Sequence, residues 1–280
     1  MTGEDAAIEW DEARSANLAN WDERVPLHEQ AYELAAYDDP AHLSDVVRHD
    51  LAALRPFAPS LEGLDVCHLQ CHIGTDTLSL ARAGATVTGV DFSADALASA
   101  DRLARRHGVE ATWVRTDVLD ARAAVSGDFD LVYTSIGTIT WLSDLDRWAA
   151  QIAGLLRADG LFYIRDGHPA LYSLDEDAPD LRIRYRYFAN GQAQAWDEDS
   201  TYAGDGKLTR TRTYEYPHPI SEVVNALIGA GLQILRLDED TTVPWLFSPR
   251  MVEVDGGYAW PEEERDRVPC TFTIIARKPA

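Results

Sequence analysis

The segment His68-Leu69-Gln70-Cys71-His72-Ile73-Gly74-Thr75 follows an apolar run and opens onto a helical pattern. A helix beginning at Gly74 directs its unpaired N–H groups and the positive end of its dipole at whatever occupies the turn. Glycine also lets a ligand come close to the backbone. Seventeen positions later, Asp91 closes the run GATVTGVD. A carboxylate at that strand tip can accept both hydroxyls of a ribose. Asp117 follows the next strand-like run and His168 sits in DGHP after the fifth. A neutral imidazole there can take a proton from a hydroxyl or amine. The alternatives are structural: a helix cap for Asp91, although Ser93 fills that role better, turn chemistry for Asp117, and a turn histidine fixed by Pro169. The run Cys67–His72 invites a metal or haem reading. However, three residues separate its cysteines, and strand alternation turns Cys67 and His68 to opposite faces. No metal site is expected, and Cys67 reads as a small buried apolar residue.

These residues need a scaffold of parallel strands. Strand patterns at 64–70, 85–91, 109–115, 129–135 and 160–166 alternate with helical patterns at 74–83, 93–107 and 142–156. Such alternation predicts parallel strands joined by right-handed crossovers, with a ligand at their carboxyl ends. Residues 1–60 read as helical, with Leu43, Val46, Val47, Leu51 and Leu54 on one face of 40–54. Between 170 and 216 the rhythm breaks. RIRYRYF and KLTRTRTYEY alternate with period two around turn-rich segments, which predicts an antiparallel β insertion. A helix at 220–231 and strands at 233–240 and 270–278 complete the chain, while 241–269 reads as loop. The organisation expected is a helical lid (1–60), an α/β core (61–169), a β cap (170–216) and the rest of the core (217–280).

In order, HLQCHIGT, VDFS, WVRTDV, FDLVYTSIGT and LLRADGLFYI resemble motifs I to V of class I S-adenosylmethionine-dependent methyltransferases of small-molecule type. The resemblance covers about 61–167, with a tail over 220–278. It departs at motif I, where His68 replaces the usual acidic residue and Gln70 and His72 replace two glycines. It implies a Rossmann-like, doubly wound seven-stranded sheet of order 3-2-1-4-5-7-6, the last strand antiparallel. It also implies transfer of methyl from S-adenosylmethionine to O, N, S or C of an acceptor, releasing S-adenosylhomocysteine. On the family's pattern, Gln70, Cys71, His72, Gly74 and Thr75, with Thr134, Ser135 and Ile136, hold the methionine part. Asp91 holds the ribose, while Phe92, Thr116, Asp117 and Val118 hold the adenine and Ser93 caps the helix. Trp21, Arg24, His28, Tyr32 and Tyr37 are the lid candidates, with Arg24 for the cofactor carboxylate. Tyr32, His168, Tyr172 and Trp245 are the candidates for acceptor contacts.

Bulk properties narrow the acceptor. The chain has 280 residues and a net charge of -22, and its longest basic clusters are short. A nucleic-acid surface needs clustered Lys and Arg to displace phosphate counterions, so nucleic acid and anionic membranes are poor partners. No apolar run reaches the roughly 18 residues of a transmembrane helix. The acidic start is no signal peptide, and three cysteines give no disulfide framework, so a cytoplasmic monomer or homodimer is expected. Two rivals remain at this point. One is an NAD-dependent oxidoreductase, which would want the G-x-G-x-x-G that Gln70 and His72 interrupt. The other is a non-catalytic, cofactor-binding regulatory protein.

Overall fold

A computed structural model describes residues 3–134, 136–204 and 206–280. A short strand β1 (Glu4–Ala6) precedes the long helix α1 (Trp10–Ala31), and a 3-10 turn (Leu34–Asp38) leads to α2 (Asp45–Leu54). The core follows in the order β2 (Asp65–Leu69), α3 (Thr75–Arg82), β3 (Thr86–Asp91), α4 (Ala94–Arg106), β4 (Ala111–Arg115), α5 (Ala121–Ala124), β5 (Phe129–Thr134), α6 (Leu145–Leu155) and β6 (Leu156–Gly167). The chain continues through α7 (Pro169–Tyr172), β7 (Ala193–Asp197), β8 (Arg212–Glu215), α8 (Ile220–Gly229), β9 (Gln233–Asp240), β10 (Thr242–Val243), β11 (Val252–Val254), β12 (Gly257–Ala259) and β13 (Thr271–Arg277).

The main sheet has the order β4-β3-β2-β5-β6-β13-β9. In core-strand numbering this is the expected 3-2-1-4-5-7-6, with β13 antiparallel to both β6 and β9. Alternation along the strands divides the core between two faces. Cys67, Leu69, Val132, Phe162 and Ile164 pack with Trp148 and α8 on one side. Val66, Leu131, Tyr133 and Tyr163 pack with Leu54 and α2 on the other. The second face encloses an ion pair: Arg165 Nε donates to Asp50 Oδ1 at 2.5 Å, and Tyr133 Oη donates to Asp50 Oδ2 at 2.5 Å.

Two segments differ from the sequence reading. Residues 182–188 form no strand; they make one isolated bridge, Leu174 to Ile183. Period-two alternation there records side chains that face alternately without a partner edge to pair with. Instead, β7 pairs with β8 and with the N-terminal β1. The second difference is in 241–269, read as loop, which holds a small antiparallel sheet, β10-β12-β11. Its strands are two and three residues long, too short to show a period.

Candidate active site

The turn after β2 carries left-handed backbone at alternate residues: φ is 55° at Gln70, 49° at His72 and 79° at Gly74. Gln70 and His72 are the two positions where the family pattern has glycine, so the backbone conformation is retained without the residue that adopts it freely. Each non-glycine costs about 1–2 kcal/mol there. New contacts offset that cost. Gln70 Nε2 donates to Thr138 O at 3.1 Å, and His72 Nε2 lies 2.8 Å from His28 Nδ1 on α1. Gly74 differs in role from the expectation. A Cβ there would lie 2.6 Å from Ala100 Cβ and 3.0 Å from Trp113 Cη2. Its bare Cα therefore serves the packing of α3 on α4 and β4, and Gly74 is not on the cavity wall.

Asp91 ends β3 with both carboxylate oxygens engaged: Oδ2 accepts from His72 N and Oδ1 accepts from Ser93 N, each at 2.9 Å. Each oxygen keeps a second lone pair, and the residue lines the cavity. Burial pushes its pKa up to about 6, against the pull of those backbone donors. Ser93 caps α4 by accepting from Ala96 N at 3.0 Å. Asp117 does turn chemistry as well as lining the cavity: Oδ1 accepts from Leu119 N at 2.9 Å, and Oδ2 lies 3.6 Å from Arg14 Nε. Burial raises its pKa too.

Helix α1 buries a polar stripe, Asn17, Asn20, Arg24 and His28. Asn17 mimics a strand neighbour, donating through Nδ2 to Tyr214 O and accepting at Oδ1 from Tyr214 N, both at 2.8 Å. Asn20 Nδ2 donates to Arg210 O at 2.5 Å. Thus α1 is fastened to the edge of β8. Arg24 Nε donates to Asn20 Oδ1 at 2.7 Å, with its guanidinium 5.0 Å from the Trp21 ring centre. His28 Nδ1 and His72 Nε2 are 2.8 Å apart and share one proton, and His28 Nε2 is 2.7 Å from Thr201 Oγ1. Burial holds the two imidazoles down to about 4 and about 3, so both are neutral at pH 7. Helix, turn and the 200–202 segment therefore meet at one place.

These parts enclose a single cavity of about 1050 Å³. Its wall includes Trp21, Arg24, Tyr32, Tyr37, Gln70, Cys71, His72, Thr75, Asp91, Phe92, Ser93, Thr116, Asp117, Val118, Ile136, Tyr172 and Trp245. Thr134 is fully buried at the end of β5 and is not on that wall, and Ser135 lies outside the described residues. His168 is also turned away. Its Nδ1 accepts from Ala170 N at 3.0 Å as the cap of α7, and Nε2 lies 2.9 Å from Glu239 Oε1. Burial lowers its pKa, against the pull of Glu239. The turn-histidine alternative describes this geometry, and only its neighbours Gly167 and Pro169 reach the cavity.

Several residues that shape the cavity were not among the sequence candidates. Asp166, buried at the end of β6, accepts from Gly137 N, Thr138 N and Ile139 N at 2.7–3.0 Å, and so holds the loop after β5. Trp141 joins the wall from that loop. The β7–β8 hairpin adds Gln194, Trp196, Glu198, Thr213 and Glu215. Their signal was the period-two alternation of QAQAWDE and TRTYE, which fixes one face but not what it faces.

Comparison with known proteins agrees with this geometry. Residues 67–162 match the model of a family described as a methyltransferase domain. A ubiquinone biosynthesis O-methyltransferase from a Chelativorans species is 26% identical over 199 residues, 69% of this chain and 76% of that one. A methyltransferase structure from Clostridium acetobutylicum superposes with a TM-score of 0.60 at 14% identity, covering 90% of this chain and 98% of the other. The 1,6-didemethyltoxoflavin-N1-methyltransferase of Burkholderia thailandensis, solved with its acceptor and S-adenosylhomocysteine, gives 0.56 at 16% identity, covering 99% and 93%. Residues 67–162 thus carry a methyltransferase domain, and the chain is similar to S-adenosylmethionine-dependent methyltransferases, which sets aside the oxidoreductase reading.

Proposed function

We propose that this methyltransferase transfers a methyl group to a heteroatom or carbon of a small molecule enclosed beneath α1. The observation that carries the reading is the single cavity, which runs from the 70–75 turn, Asp91 and Asp117 to the aromatic walls around Tyr172 and Trp245. When bound, S-adenosylmethionine supplies a methyl group already activated on a sulfonium sulfur. The wall fits such a group. Gln70 Oε1 is buried without a hydrogen-bond partner, and Asp91 keeps free lone pairs beside it in the fold.

In this reading Asp91 accepts from the ribose hydroxyls, and Phe92, Thr116, Asp117 and Val118 hold the adenine. Gln70, Cys71, His72, Thr75 and Ile136 surround the methionine part, and Arg24 meets its carboxylate. Trp21, stacked edge-on with His72 and Trp141 at 5.2 and 5.4 Å, offers ring faces to the positive sulfur. Tyr32, Tyr37, Tyr172 and Trp245 complete the enclosure, and α1 serves as its lid. Orientation of two reactants within a water-poor cavity supplies much of the rate for so activated a donor. His168 acts only by capping α7, which carries Tyr172. A lidded cavity and a charge of -22 both favour a compact acceptor over a macromolecular or nucleic-acid one. The likeness to an O-methyltransferase supports oxygen as the acceptor atom, and the likeness in fold to an N-methyltransferase keeps nitrogen open.

Calorimetric titration of the chain with S-adenosylhomocysteine tests this reading. Micromolar binding, lost in Asp91→Ala and absent for NAD, is the expected result. Failure of the wild type to bind the nucleoside would remove the assignment of the cavity.

A further inference from the structure

Strand pairing sets one row of the β7–β8 hairpin against the cavity. Gln194 lies opposite Glu215, and Trp196 lies opposite Thr213, with Glu198 one step beyond on the same face. All five line the cavity, whereas the alternate residues Ala195, Asp197, Arg212 and Tyr214 do not. Gln194 is 7% exposed and Thr213 4% exposed. Among the described residues, neither side chain has a hydrogen-bond partner. Their amide and hydroxyl open onto the cavity and are available to a ligand with matching groups. The aromatic groups Trp141, Tyr172 and Trp245 line the same cavity.

Resting on the methyltransferase reading, we infer that this row is the acceptor site. It selects a planar ring compound that presents an N–H or O–H to Glu215 and carries no anionic group. Charge decides the last clause. Glu198 and Glu215 share Arg24, which α1 supplies and whose Nε is already bonded to Asn20, while the other arginines of the cavity, Arg14 and Arg186, face Asp117 and Asp5. With Glu176 also acting on Glu215 from the cavity wall, an acceptor carboxylate or phosphate would enter a field of its own sign. A cationic or neutral donor would complete it.

The same carboxylate balances the reaction. The acceptor heteroatom forms its bond to the methyl carbon as the carbon–sulfur bond breaks, the electron pair leaving with sulfur. The N–H or O–H proton passes to Glu215. Burial and Glu198 push the Glu215 pKa up to about 7, against the pull of Arg24 and Trp196, which suits a group that takes a proton near neutrality.

Three probes matched in ring and length test the selection: tyramine, 4-ethylphenol and 3-(4-hydroxyphenyl)propanoate. Each is titrated calorimetrically into the full chain saturated with S-adenosylhomocysteine. Tyramine should bind at least about tenfold more tightly than the propanoate, the worth of one charge-assisted hydrogen bond. Glu215→Gln should erase most of that preference, and Gln194→Ala should weaken all three probes, while both variants bind S-adenosylhomocysteine as the wild type does. Equal affinities, tighter binding of the propanoate, a preference that survives Glu215→Gln, or no binding by any probe would overturn the inference. Those results with S-adenosylhomocysteine still bound leave the cofactor assignment standing; loss of nucleoside binding in the wild type is instead the failure of that assignment.

Discussion

Replacing Gly74 by alanine separates two roles for the one glycine that remains in the 70–74 turn. If the glycine admits a ligand, the substitution should damage binding; if it admits α4, it should damage stability. The structure supports the second. The added methyl would lie 2.6 Å from Ala100 Cβ and 3.1 Å from Ala100 Cα, the latter being helix backbone that cannot swing aside. Forcing such a contact costs about 1–3 kcal/mol. Holding alanine at φ 79° adds about 1–2 kcal/mol. The sum is about 2–5 kcal/mol, a large part of a typical domain's net stability of about 5–15 kcal/mol. Urea unfolding followed by circular dichroism should therefore show a much lower midpoint with an unchanged slope. Neither Ala100 nor Trp113 lines the cavity, so the folded variant should bind S-adenosylhomocysteine within about threefold of wild type, under 1 kcal/mol. Gln70→Gly is the control: relief of its left-handed backbone and loss of its bond to Thr138 O are each about 1 kcal/mol and oppose one another. An unchanged midpoint with tenfold weaker binding in Gly74→Ala would refute the packing argument.

Three further outcomes are expected. The Asp91 carboxyl, raised to about 6 by burial, accepts ribose hydroxyls best when ionised; S-adenosylhomocysteine affinity should fall as pH drops from 7 to 5, and calorimetry on Asp91→Asn should lose that inflection. Asn17→Ala removes two bonds to the β8 edge, about 1 kcal/mol each, so hydrogen exchange within residues 10–31 should quicken several-fold with the core unaffected. His168→Ala should lower thermal stability by the worth of a helix cap, about 1 kcal/mol, without changing S-adenosylhomocysteine affinity; a tenfold affinity loss would return His168 to the site.

The seven-stranded core was legible because its two signals are redundant: apolar strands alternate with amphipathic helices, and Asp91 and Asp117 mark strand ends. Helix α1 was harder to read. Its buried stripe is Asn17, Asn20, Arg24 and His28, of which the two asparagines are satisfied by backbone almost two hundred positions away, and apolar periodicity cannot register a polar seam. The β7–β8 row was hidden for a related reason. Alternation gave Gln194, Trp196 and Glu198 a common face, but only pairing with β8 and closure by α1 turn that face inward. His168 misled because its place after β6 is right while its side chain answers to α7 and Glu239.

The departures in the turn after β2 follow from the same closure. Glycine at positions 70 and 72 would adopt the left-handed backbone freely but contribute no side chain. Here Gln70 ties the turn to Thr138 O, within the loop that Asp166 holds, and His72 ties it to His28 on α1. The about 1–2 kcal/mol spent on each left-handed residue is exchanged for contacts joining turn, loop and lid. Since both imidazoles are held neutral, those contacts carry no charge into the cavity proposed for the sulfonium. A turn built of glycines would bind through its backbone alone. This one also couples the enclosure of the cavity to the position of its own side chains.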